Sequence, residues 1–229
     1  MKYTITFVLA MMIVFAASSQ RNVTKFLGIP IDGTKSAMIQ KLKAKGFTYD
    51  ASKDVLSGEF NGCDVNLYVV TNNDKVYRIM VVDAVGSTEG QIKVRFNTLC
   101  KQFEKNNKYV PADFVGDYAI NEDEDLSYEI GIHEKRYEAA YFQYTEADQD
   151  TTGLAEWALN RILEKYTQEE LDNMSEEEGQ LVTLQIASEY VLEKIANKSV
   201  WFMITERWGR YYINMYYDNE LNQANGEDL

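Results

Sequence analysis

The chain has 229 residues, a net charge of −13 and a hydrophobic content of 45%. That apolar share fills the core of one domain or two small ones, while the acidity sets the chain against nucleic-acid phosphates and anionic lipid headgroups. One histidine and two cysteines are too few for a clustered zinc site, and no cofactor is expected.

The N-terminus reads as an export signal. Lys2 supplies a short positive region, Ile5 to Ala17 is apolar, and Ala17, Ser18 and Ser19 suit a cleavage site. Residues 1–19 are therefore expected to be a signal peptide, with a mature chain beginning near Gln20. The apolar run is shorter than the roughly 20 residues a membrane span needs. The expected location is the periplasm or the cell exterior, without a spanning segment.

Thr34 caps a predicted helix that buries Met38, Ile39 and Leu42 and stops near Gly46. Three strand-like runs follow, "DVLSGEF", "CDVNLYVV" and "KVYRIMVVDA", the first two joined by Asn61-Gly62, a strong hairpin signal. Thr88 and Gln91 form a capping-box pattern for a second helix, with Ile92, Phe96, Leu99 and Phe103 on its buried face. After an acidic "NEDED" loop, "LSYEIGIHEKRYEAAYFQY" is expected to form a second hairpin. A helical block covers 154–197, with Thr167 and Ser175 as internal caps, and "VWFMITERWGRYYINMYYDN" makes a third hairpin. The predicted fold is α+β: antiparallel sheet with helices on one face and a tandem helix-plus-sheet repeat. The units are 20–86 and 87–220, the second carrying the helical insertion 154–197, and 221–229 is expected to be a flexible tail.

The stretch "FLGIPIDGTKSAMIQKLKAKGF", with "GEFNG" and "VTNNDKVYRIMV", resembles small uncharacterised exported proteins of Bacteroidetes-type bacteria. That resemblance covers about the first half of the mature chain and implies no established activity. A short helix feeding an antiparallel sheet, repeated in tandem, is also similar in architecture to β-lactamase-inhibitor-like domains.

Candidate chemistry is sparse. His133, the only histidine, is placed at the predicted hairpin turn with no nucleophile motif near it in sequence. Asp148, Asp150, Thr152 and Gly153 match positions 1, 3, 5 and 6 of an EF-hand-like calcium loop, but Leu159 stands where the bidentate acid belongs. The same residues suit a helix N-terminus. Asp150-Thr151-Thr152 resembles the O-glycosylation signal of exported Bacteroidetes proteins, with Thr151 as acceptor. Acids at the starts of the helices answer the helix dipole.

Tyrosine is the compositional signature, at 16 residues. On the last predicted strand both alternating sets are aromatic, and Trp201 and Trp208 lie on the same hairpin. A sheet covered on one side keeps its other side polar, whereas Tyr and Trp suit protein and sugar contacts. Trp201, Tyr212 and Tyr216 are thus the candidate binding residues, and an envelope protein or glycan is the expected partner. The alternative is a hydrolase using acids such as Glu129 or Glu138. Cys63 and Cys100 leave two arrangements open, a bridge or two buried thiols; a core of this size does not need a staple.

Overall fold

The computed structural model describes residues 21–112 and 118–224, and the expected signal peptide lies outside them. A small ribbon of β1 (Lys25–Phe26) and β2 (Ile29–Pro30) precedes α1 (Lys35–Ala44). The Thr34 hydroxyl accepts from the Ala37 N–H to start that helix, and Met38, Ile39 and Leu42 are buried along it. Four antiparallel strands follow: β3 (Thr48–Asp50), β4 (Val55–Phe60), β5 (Cys63–Asn72) and β6 (Lys75–Asp83). Asn61-Gly62 and Asn73-Asp74 are the turns on either side of β5. All four residues have positive φ, as a two-residue type I′ loop requires.

The second half repeats this order. Thr88 and Gln91 exchange both capping-box bonds at the start of α2 (Glu89–Glu104), which buries Ile92, Phe96, Leu99, Cys100 and Phe103. Then come β7 (Tyr109–Pro111), α3 (Leu126–His133), β8 (Glu138–Gln143), α4 (Leu154–Lys165), α5 (Gln168–Asp172), α6 (Glu176–Ile195), β9 (Ser199–Arg207) and β10 (Arg210–Asp218). The principal sheet has eight strands in the order β3-β4-β5-β6-β10-β9-β8-β7. Each half therefore contributes a leading helix and four strands, and the two final strands pair at the centre. Apolar residues of α1 and α2, with Leu126 of α3, share one core with Val65, Leu67, Val69, Ile79, Val81, Phe202, Ile213 and Met215. The core thus lies on one face of the sheet.

The expected second hairpin is not formed. Leu126–His133 is α3, begun by the Asp125 carboxylate accepting from the Tyr128 N–H at 2.9 Å and ended by Glu134 in the left-handed region. Its alternating apolar pattern mimics a strand, but the cap and the burial of Leu126 favour a helix. β8 pairs instead with β7 and β9. The expected tail also begins packed. Glu220–Asn222 is a 3-10 turn, and the buried Asn222 amide donates to Val76 O at 2.8 Å and to Asp32 at 2.9 Å. Residues 225–229 lie outside the described residues.

The insertion α4–α6 leaves the sheet after β8 and returns at β9. None of its described residues joins the main core. Its helices hold one another through the Trp157 and Tyr190 rings, 5.2 Å apart, and through Glu189, which binds Arg161 and Lys165. Hydrogen bonds from Lys165, Gln185 and Arg161 push the Glu189 carboxyl down to about 2.

Gly58 on β4 permits a close approach in the first half, because a Cβ there would lie 2.6 Å from a ring carbon of Phe47. Phe47 is buried in the core and has little room to withdraw. Gly58→Ala is expected to destabilise the fold by about 1–3 kcal/mol through overpacking. An unchanged urea midpoint would show that the ring yields freely.

Candidate binding face

On β10, Tyr211, Ile213, Met215 and Tyr217 enter the core, so Tyr212, Asn214 and Tyr216 point to the other face, away from α1 and α2. Tyr216 stands opposite Trp201 in register, and the two rings stack with centroids 3.9 Å apart and planes 17° from parallel. The indole Nε1–H donates to Asp218 at 3.0 Å. Asp218, opposite Arg78 on β6, accepts from the guanidinium Nε and Nη2 at 2.6 and 2.7 Å. The Arg78 carbon lies 4.9 Å from the Tyr216 centroid and 5.6 Å from that of Trp201. One buried carboxylate thereby fixes both the cation and the indole that border the stack. Its hydrogen bond to Arg78 raises the guanidinium pKa against the opposing effect of burial.

Cross-strand pairing places Tyr68, Met80, Tyr216, Trp201 and Ala140 in one row across β5, β6, β10, β9 and β8. Tyr216 has a methionine on its outer flank, whereas Trp201 has only the methyl group of Ala140. The indole is therefore the ring least covered by its cross-strand neighbour. A flat, rigid aromatic step bordered by a cation can take a sugar ring or an apolar protein side chain.

The three expected residues do not form one cluster. Trp201 and Tyr216 meet, but Tyr212 is four residues from Tyr216 along the strand, about 14 Å at a strand rise of about 3.4 Å per residue. Its ring packs over Gly86, where a Cβ would come within 2.8 Å of the phenol. Between them Asn214 is 6% exposed, and among the described residues its Oδ1 has no hydrogen-bond partner. Arg78 and Asp218 were not foreseen from sequence. Their opposite charges on the same sheet face as Trp201 and Tyr216 are the signal, which becomes readable only once the pairing of β6 with β10 is known.

The other sequence candidates fall elsewhere. Asp148 is fully buried against Lys198, Asp150 accepts from the Thr152 N–H at 2.9 Å, and the Thr152 carbonyl accepts from the Tyr190 hydroxyl at 3.3 Å. The calcium-like loop is thus consumed by folding contacts. Among the described residues no cluster of three His, Cys, Asp or Glu groups is placed to hold a metal ion. Thr151 is exposed in the turn before α4. His133 ends α3, with its ring 5.1 Å from that of Tyr128.

Glu129 and Glu138 lie on opposite sides of the sheet. Glu129 belongs to α3, whose Leu126 packs into the core on the helix-bearing side. Glu138 alternates to the other face and pairs with Arg136 at 2.8 Å.

Cys63 and Cys100 are reduced thiols and form no bridge with each other. α2 presents Arg95 to the Cys63 sulfur, while Arg95 also grips Asp83 at 2.6 and 3.1 Å. Cys100 is five residues on, about 140° around the helix, and meets the Tyr141 phenol in the core.

No family model, curated protein or solved structure matches this chain. Two grooves are also present among the described residues. The larger, about 1180 Å³, lies on the helix side between the halves, with Phe60, Phe103, Tyr109 and Tyr217 among its walls. The other, about 920 Å³, runs beside the start of β10. Neither includes Trp201, Tyr212 or Tyr216. Among the described residues no helix is long and apolar enough to cross a membrane.

Proposed function

We propose that this is a non-enzymatic, exported binding protein of the bacterial envelope that grips a protein or glycan through the aromatic face of its sheet. The observation that carries the reading is the Trp201–Tyr216 stack, held from below by Asp218 and Arg78 on the face without core helices.

Pull-down of the mature protein from envelope extract, with glycan-array binding alongside, tests this. Trp201→Ala and Tyr216→Ala are each expected to weaken capture at least about tenfold, as for an interface anchor, with far-ultraviolet circular dichroism unchanged. Tyr212→Ala should have a smaller effect, since its ring packs on Gly86. Undiminished capture by both stack variants would end the proposal.

A further inference from the structure

The larger groove, about 1180 Å³, crosses the seam between the halves on the helix side of the sheet. Its floor is aromatic. Phe60 of β4 lies edge-on to Tyr217 of β10, with centroids 6.5 Å apart, and the Tyr217 and Tyr109 hydroxyls bond each other. Tyr109 of β7 then meets Phe103 of α2 at 4.6 Å. Tyr217 and Phe103 are buried, whereas Phe60 and Tyr109 are half-buried and give the groove one ring from each half.

The rim is neutral and rich in carboxamides. Asn61, Gln102, Asn106, Asn107 and Gln149 belong to it, and Lys25 and Lys108 are matched by Glu59 and Glu146. A chain carrying −13 charges thus has a groove with none in excess, and a phosphate or other anion finds no surplus cation there. Each carboxamide both donates and accepts, as a sugar hydroxyl also does. Asn61 spends an amide N–H on the Gln102 carbonyl at 2.9 Å, which leaves the carbonyl of the first and the amino group of the second for a ligand.

An extended peptide fits less well. Peptides are captured along a free strand edge, but the Lys25 N–H and C=O at this groove are both taken by the Gln143 side chain, at 2.7 and 3.0 Å. We infer that the groove binds a neutral oligosaccharide, whose apolar ring faces lie on Phe60 and Tyr109 while its hydroxyls meet the amides of the rim. Aromatic rings suit a partner that is apolar on its face and wet at its edge. The volume exceeds the range of about 300–1,000 Å³ that holds drug-sized ligands, so the ligand is a chain of several sugar rings. This site is on the opposite side of the sheet from Trp201 and Tyr216 and is independent of them.

Isothermal titration calorimetry of the mature protein against cellohexaose, chitohexaose and maltohexaose tests this, and at least one is expected to bind. Gln102→Ala and Asn107→Ala, both at exposed positions, should each weaken that binding roughly three- to tenfold, the loss of one or two hydrogen bonds, without lowering the melting temperature. Phe60→Leu, which keeps an apolar side chain but removes the flat face, should weaken it at least as much. Trp201→Ala should bind as the parent does. Binding of none of the three sugars at millimolar concentration overturns the inference, as does capture of a neutral alanine-serine hexapeptide in their place. Binding that survives both rim substitutions but is lost in Trp201→Ala also overturns it and assigns the sugar to the open face.

Discussion

Lys198→Ala is expected to cost about 3–5 kcal/mol of stability, the usual consequence of leaving one member of a buried ion pair alone. Both side chains of the Lys198–Asp148 pair are 0% exposed. Asp148 also accepts from the Thr145 N–H and hydroxyl at 2.7 and 2.8 Å and from the Asn22 amide at 2.6 Å. None of these neutralises a carboxylate withdrawn from water. Replacing the pair together, Lys198→Met with Asp148→Leu, should recover most of the loss, since an apolar substitute avoids the desolvation of both ions. Urea denaturation would measure this; a single variant within about 1 kcal/mol of the parent, ordinary surface behaviour, would refute it.

The pair also gives a pH signature. Burial alone would raise the Asp148 carboxyl, but hydrogen bonds from Lys198 and Thr145 outweigh it and hold the group below its ordinary value. A carboxyl depressed in the folded state adds stability above its unfolded pKa, about 3.9, and loses it as pH falls through the folded pKa. The parent should therefore lose stability more steeply in acid than the doubly apolar variant.

Asp218→Ala is expected to cost about 2–3 kcal/mol, in the range of hydrogen bonds to charged groups, and to disorder the aromatic stack. It removes both acceptors of Arg78 and the partner of the Trp201 indole. Arg78 keeps some access to water, with a side chain 26% exposed, which limits the loss. Near-ultraviolet circular dichroism should lose intensity, and partner capture should fall even under conditions where the variant is folded. Asp218→Asn keeps an acceptor for the indole and should lie between the two. A variant with parental near-ultraviolet signal and capture would show that the stack holds itself.

The elements with strong local chemistry were legible. Thr34, Thr88, Thr167 and Ser175 all cap where the sequence placed them, and Asn61-Gly62 turns between β4 and β5. The elements that failed depend on distant partners. β3 and β7 have three residues each, too few to alternate detectably, and exist because β4 and β8 offer them an edge. α3 is hidden in the sequence because its apolar pattern suits a strand until Asp125 and the core claim it. Trp201 and Tyr216 were identified as residues, but their stacking depends on register across β9 and β10. The role of Asp218 depends on the pairing of β6 with β10, between residues far apart in the chain.

That central pairing bears on whether either half can stand alone. β6 and β10 are each the final strand of a helix-and-four-strand half, and they meet antiparallel. A lone half would leave its final strand as an unpaired edge, a template for unwanted association. Each half thus shields the most aggregation-prone edge of the other, while the helical insertion leaves the sheet between β8 and β9, away from that seam.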